Sequence, residues 1–268
     1  MSDTRHRSPL RAAARGLAAA ALLGLGVMVA PAGAQPPAGG VNDLVFHIRD
    51  FRSKGETLRY AVYVPHAYPE QQKWPAIVFL HGSGEWGTDG QKPTQVGLGA
   101  AIMKSPQRWP FVVIFPQKPR EDVEWEERED IVYEVLKRVK SKYRIDPDRV
   151  ALTGISQGGH GAWYIAARNP DVWSCVVPVC GYGRAKTVAP RIWKLPVWAF
   201  HGAKDDLVDP KDDQEIVAAL RDERARRGLS PEGAQLTMFP DANHNAWDPA
   251  YAEPALPEWI LSQRRGAK

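Results

Sequence analysis

Residues 150–159 read Val-Ala-Leu-Thr-Gly-Ile-Ser-Gln-Gly-Gly, and no other stretch constrains the fold so tightly. A short apolar run ends in Gly154-Ile155-Ser156-Gln157-Gly158, a G-x-S-x-G pattern. Such a pattern demands a strand that turns sharply into a helix, with the serine at the apex and its hydroxyl exposed. Glycines on either side let the two arms of the turn approach without Cβ clashes. The pentapeptide is a local pattern, and its weight rests on an Asp and a His further along the chain.

Both follow, in that order. Asp205 lies in His201-Gly202-Ala203-Lys204-Asp205, after the strand-like run Leu195–Phe200. His244 lies in Asp241-Ala242-Asn243-His244-Asn245, after the run Gln235–Phe239. Each falls past the carboxyl end of a predicted strand, where open parallel sheets gather their functional loops. A serine hydroxyl is poorly nucleophilic at neutral pH and needs an adjacent base. Ser156 is therefore the expected nucleophile, His244 its base, and Asp205 the residue that orients the imidazole. Asp206 and Asp209 rival Asp205, whose spacing from His201-Gly202 is preferred. His201 sits at the strand end, ahead of the loop, and is expected to be structural.

Acyl transfer also needs donors for a developing oxyanion. One expected donor is the backbone N–H of Gln157, the residue after the serine. The other is expected from Leu80-His81-Gly82-Ser83-Gly84-Glu85-Trp86-Gly87, a glycine-rich loop after a strand. Ser83 is the first nominee there and Gly84 the second. No G-K-[ST] follows the glycines, so a phosphate loop is excluded.

Strand-like and helix-like segments alternate along the chain. Strands are expected near 44–50, 58–64, 76–80, 111–115, 150–154, 175–179, 197–200 and 236–239. Helices are expected near 94–104, 127–143, 158–168, 210–227 and 254–263. Two leading strands followed by β-α alternation predict a mostly parallel eight-stranded sheet, with helices on both faces and an antiparallel edge. No long insertion reads as a lid. The acidic run Glu121–Asp130 could hold a metal, but it reads as an acidic helix start favoured by the helix dipole. Ile131, Val132, Val135, Leu136 and Val139 continue it at helical spacing. No metal or cofactor is expected.

Arg5, Arg7, Arg11 and Arg15 precede an apolar run from Gly16 to Ala30, and Ala32-Gly33-Ala34 closes the segment. This pattern predicts a signal peptide cleaved after Ala34 and a secreted or periplasmic protein. The alternative, a membrane anchor, needs about 20 apolar residues. The arginines are not adjacent, which disfavours a twin-arginine signal. Residues 35–42 read as a flexible leader and 43–268 as one catalytic domain. The full chain carries 35 basic and 31 acidic residues, but the signal holds four Arg against one Asp. The remainder is close to neutral, so nucleic acid is not an expected partner. Cys175 and Cys180 flank an extended run, which would hold their Cα atoms about 16 Å apart. A disulfide needs about 7 Å, so two buried free thiols are expected. Oligomeric state is not legible.

Four stretches carry a resemblance: Leu80-His-Gly-Ser-Gly-Glu, Tyr143-Arg-Ile-Asp-Pro-Asp-Arg-Val-Ala-Leu-Thr-Gly-Ile-Ser-Gln-Gly-Gly, His201-Gly-x-x-Asp and His244-Asn-Ala-Trp-Asp. Together they resemble secreted serine esterases of the α/β-hydrolase superfamily. The chain is similar to the phospholipase/carboxylesterase and polyester-depolymerase-like members, with kinship to the prolyl-oligopeptidase catalytic domain. Related sequences often carry Arg where this chain has Trp86. The resemblance implies an α/β-hydrolase fold and cofactor-free hydrolysis of carboxylic esters through an acyl-enzyme. Short-chain acyl, acetyl-sugar and feruloyl-type esters are the implied substrates. A peptidase on the same machinery and a non-catalytic binding module are the alternatives. Trp86 beside the glycine-rich loop, Trp247 three residues after His244, and His160 on the helix after the serine are candidate substrate contacts. The alternative for each is local packing.

Overall fold

The computed structural model describes residues 46–66 and 73–266. The expected signal peptide and leader lie outside the described residues. Among the described residues, eight strands form one sheet: β1 (Phe46–Ser53), β2 (Glu56–Tyr63), β3 (Trp74–Leu80), β4 (Val112–Pro116), β5 (Ile145–Ile155), β6 (Cys175–Val179), β7 (Val197–Gly202) and β8 (Ala234–Phe239). Their order across the sheet is β1-β2-β4-β3-β5-β6-β7-β8. β1 and β2 pair antiparallel, and β2 meets β4 antiparallel. Every pairing from β4 to β8 is parallel.

The helices are α1 (Leu98–Lys104), α2 (Glu129–Lys142), α3 (Gln157–Arg168), α4 (Ala185–Ile192), α5 (Pro210–Arg226), α6 (Trp247–Ala252) and α7 (Leu256–Ser262). They cover both sheet faces, and β3 shows why. Its Ala76, Val78 and Leu80 join one apolar layer with residues of α2 to α5. Its Ile77 and Phe79 join a second layer with residues of α1, α6 and α7. Successive strand side chains point to opposite faces, so a strand covered on both sides is apolar throughout. Each such Leu, Ile, Val or Phe removed from water contributes about 1.5–3 kcal/mol.

Several boundaries differ from the sequence expectation. The helix expected over 94–104 splits into a 3-10 turn at Lys92–Thr94 and α1 from Leu98. Gly97 separates them at φ 52°, where a Cβ would press on Phe79 and Tyr251 at 3.2 Å. β5 begins five residues early, at Ile145. Pro147 hides that start in the sequence, but the β3–β5 register shifts between Trp74 and Ala76, and irregular pairing tolerates proline. α4 and α6 are short and contain Pro190 and Pro249, so neither reads as a helix.

The acidic run divides too. Glu124 and Glu127 form a capping box around a 3-10 turn at Trp125–Glu127, and Glu129 and Asp130 open α2. The α2 residues expected to face the core are buried. Cys175 and Cys180 are free and buried. Burial pushes both thiols up to about 12. No described helix is long and apolar enough to cross a membrane.

Candidate active site

β5 delivers Ser156 to the rim of the sheet, and α3 starts at the next residue. Ser156 adopts φ 52°, ψ −118°, a conformation that costs a non-glycine residue on the order of 1–3 kcal/mol. The surroundings hold it there. Its N–H donates to the Val179 carbonyl at 2.9 Å, and its carbonyl accepts from the His160 N–H at 3.0 Å. The glycines of the pattern are sterically required. A Cβ on Gly154 would lie 2.2 Å from the Gly158 carbonyl oxygen. A Cβ on Gly158 would lie 2.0 Å from that of Leu80.

The loops after β7 and β8 carry the other two residues, and they are tied together. The Lys204 N–H donates to the Ala242 carbonyl at 2.9 Å, as does Ala203 to Phe239. Gly202 lies so close beneath the second loop that a Cβ would stand 2.2 Å from the Asn243 carbonyl oxygen. The Cys180 thiol donates to the His244 carbonyl at 3.2 Å.

These contacts bring Ser156, His244 and Asp205 into one line. His244 Nε2 lies 2.9 Å from Ser156 Oγ, and His244 Nδ1 lies 2.7 Å from Asp205 Oδ2. A carboxylate only accepts, so Nδ1 carries the proton and Nε2 is left to accept from the serine hydroxyl. The Asp205 side chain is fully buried, while 15% of the His244 side chain stays exposed. Burial works against charge on Asp205. The N–H groups of Val208 and Leu207 and the His244 ring outweigh it and hold the carboxyl below its ordinary range. The rivals lie elsewhere: Asp206 is exposed, and Asp209 caps α5 by accepting from the Lys211 N–H.

The glycine-rich loop lies over the serine. A Cβ on Gly82 would be 3.5 Å from Ser156 Cβ. Ser83–Glu85 form a 3-10 turn. The first N–H groups of a helical turn have no partner within it, which leaves those of Ser83 and Gly84 available. Gln157 stands in the same relation to α3. His81 fixes the loop from below. Burial lowers its pKa to about 3, so it is neutral. Its Nε2 accepts from the Lys118 N–H at 3.2 Å. Its Nδ1–H therefore donates to the Gly82 carbonyl at 2.6 Å. In a trans peptide the C=O and the following N–H point opposite ways, so this bond turns the Ser83 N–H away from His81. Glu85 folds under the same turn. Burial raises its pKa, and its Oε2 has no hydrogen-bond partner among the described residues.

The candidate substrate contacts separate into two kinds. Trp86 is 41% exposed, with Lys92 Nζ 5.5 Å from its ring. Trp247 meets the His244 ring edge-on, centroids 5.4 Å apart at 87°. His160 is only 7% exposed. Its nitrogens bond the Tyr182 carbonyl and Glu126, both at 2.9 Å, and its ring stacks on Tyr182. Its neighbours within the fold thus occupy it. Among the described residues, two groupings bring three metal-capable side chains together: Cys180 with His201 and Asp205, and Glu124 with Glu126 and His160. Hydrogen bonds within the chain engage atoms of both.

An arrangement of this kind can move a proton from a serine hydroxyl to an imidazole and meet a developing oxyanion with two N–H groups. Residues 52–237 match the family model Esterase, described as "Putative esterase".

The chain belongs to the Esterase family.

Its eight-stranded sheet with helices on both faces is the α/β-hydrolase fold. A thermostable esterase of known structure superposes with a TM-score of 0.72 at 25% identity, over 82% of this chain and 63% of that one. A bifunctional acetylxylan esterase/xylanase of Neocallimastix patriciarum is 24% identical over 157 residues, 52% of this chain and 22% of the relative. Poly(3-hydroxyalkanoate) depolymerase C of Paucimonas lemoignei is 25% identical over 215 residues, 63% of this chain and 49% of the relative. The chain thus spans less than half the length of either curated relative.

Proposed function

We propose that this protein hydrolyses carboxylic esters through an acyl-enzyme on Ser156. The reading is carried by the 2.9 Å and 2.7 Å contacts that join Ser156 to His244 and His244 to Asp205, on a fold of the Esterase family. Ser156 Oγ attacks the ester carbonyl carbon while His244 Nε2 takes its proton. The carbonyl oxygen becomes an oxyanion and receives the N–H groups of Gln157 and Ser83, with Gly84 beside them. The C–O bond to the alcohol then breaks, and the alcohol leaves with the proton from His244. A water, deprotonated by His244, attacks the acyl carbon; the bond to Ser156 Oγ breaks, His244 returns the proton to Oγ, and the acid leaves. Asp205 keeps the imidazole in the required tautomer and stabilises its cation.

Short acyl groups on a sugar, phenolic or polymeric alcohol are the substrate class. The names of the acetylxylan esterase and the polyester depolymerase support it. Exposed Trp86 and the Trp247 ring beside His244 support stacking on such groups. The arginine-led apolar segment ahead of Ala34 supports export.

The test is a screen of residues 35–268 on p-nitrophenyl esters of increasing chain length, methyl ferulate, acetylated xylan and a peptide p-nitroanilide. Each is run beside Ser156→Ala. Ester turnover that vanishes in the variant, with fluorophosphonate labelling of wild type alone, is expected. Turnover that survives Ser156→Ala would overturn the mechanism. Preference for the anilide would make the protein a peptidase.

A further inference from the structure

Asp205 has a second histidine. His201 Nε2 lies 3.1 Å from Asp205 Oδ2, the same oxygen that His244 Nδ1 contacts. The other acceptor at His201 Nε2 is the Val208 carbonyl, at 3.2 Å. Both neighbours only accept, so Nε2 carries a proton. On the far side, His201 Nδ1 lies 2.8 Å from Asp213 Oδ2. Asp213 comes from α5, and it is fully buried, as is His201.

The charge state of this pair follows from what surrounds Asp213. Trp163 Nε1–H donates to its Oδ1 at 2.7 Å, and the Gly181 N–H donates to its Oδ2 at 3.3 Å. Burial raises the Asp213 pKa, while the His201 ring, Trp163 and the Gly181 N–H pull back toward the carboxylate. With Asp213 ionised, Nδ1 also carries a proton, and His201 is an imidazolium between two carboxylates. Burial opposes its charge. The bond to Asp213 and the charges of Asp213 and Asp205 outweigh that and lift His201 above the ordinary histidine pKa. A buried ion pair persists only where further hydrogen bonds satisfy its remaining atoms, and Trp163, Gly181 and Val208 supply them here. The remaining titratable neighbour is the Cys180 thiol, which stays protonated. Facing His244 are Asp205, Ser156, the Trp247 ring and Cys180.

We propose that Asp213 and His201 are positioning residues for the reaction, a buried pair that anchors Asp205 and places a second histidine on the carboxylate oxygen that serves His244. The proposal rests on the acyl-enzyme reading above. Its physical content is a division of one carboxylate oxygen. Asp205 Oδ1 is occupied by the Leu207 and Val208 N–H groups at 3.0 Å each. Oδ2 therefore serves both histidines. His201 thus shares the anion that would otherwise serve His244 alone. The same two bonds keep the carboxylate from turning, so Nδ1 of His244 always meets the same oxygen.

Two measurements test this. In wild-type protein with 15N-labelled histidine rings, both His201 nitrogens should stay protonated to a higher pH than those of free histidine, near 6.5. A His201 that bared one ring nitrogen at or below the pH of free histidine would overturn the ion pair. This measurement needs no turnover, so it separates failure of the proposal from failure of the esterase reading, which an unlabelled wild-type serine would reveal. The second measurement is the pH profile of fluorophosphonate inactivation in Asp213→Asn. An asparagine amide facing Nδ1 makes His201 neutral while leaving Nε2–H on Asp205. The variant loses the His201 cation and, beyond it, the Asp213 anion; the cation lies nearer the Asp205–His244 pair, so the acid limb should move upward by about 0.5 pH unit. The inactivation rate counts only folded sites, so partial unfolding does not distort it. A limb that superposes on wild type would sink the proposal. If Asp213→Asn fails to fold, the ring-nitrogen spectrum decides alone.

Discussion

A Cβ atom on Gly158 would stand 2.0 Å from the carbonyl oxygen of Leu80. The first turn of α3 and the end of β3 therefore meet backbone to backbone, and this contact places the glycine-rich loop over Ser156. Gly158→Ala should force the two apart. Overpacking of this kind costs about 1–3 kcal/mol, a fall in Tm of roughly 2–12 °C for a domain of this size. Calorimetry on the variant checks it, and an unchanged Tm would contradict the contact.

Ser83→Pro isolates the role of a single N–H. Gly82 is extended at φ −78°, ψ −168°, as the residue before a proline must be. Ser83 opens the 3-10 turn, where a proline's fixed φ is tolerated. The variant should fold normally and lose about 10²–10³-fold in kcat, while Ser83→Ala stays near wild type. Equal rates for the two variants would remove Ser83 from the oxyanion site.

Asp205→Asn should lower kcat by about 10⁴-fold by favouring the wrong tautomer of His244. It should also change acid stability. The folded pKa of Asp205 lies below its unfolded value, near 3.9. Its stabilisation is present above that value and is lost as pH falls through the folded pKa. Urea midpoints for wild type and variant should thus converge below about pH 4. A gap as wide at pH 2 as at pH 7 would show that the carboxylate is not its source.

Trp247 presses edge-on against His244. Aromatic pairs contribute about 0.5–1.5 kcal/mol, so Trp247→Ala should cost up to roughly tenfold in kcat and Trp247→Phe much less. An effect confined to KM would make Trp247 a substrate contact with no part in holding the imidazole.

The strand and helix pattern was legible wherever local signals were clean. β6 runs from Cys175 to Val179 as expected, and α2 buries Ile131, Val132, Val135, Leu136 and Val139. Prolines 147, 190 and 249 obscured the start of β5 and two short helices, because the tertiary context absorbs what a local rule forbids. The line from Ser156 through His244 to Asp205 was legible as three residues after three strands. Asp213 was not, although a signal existed. It lies three and four residues before Ile216 and Val217, on the buried face of α5, where an unpaired carboxylate would be costly.

The order of strands and glycines in the sequence determined the fold, because a parallel sheet has few ways to connect such elements. It also named the residues at the sheet's rim, since functional loops gather at carboxyl ends. The tertiary structure alone decided their company. His160 reads as a substrate contact or a packing residue, and its ring nitrogens bond Glu126 and Tyr182. His201 reads as structural but shares an oxygen with His244. Such pairings join residues far apart in the chain, and hydrogen bonds act over about 3 Å of space, a distance that only the folded packing sets.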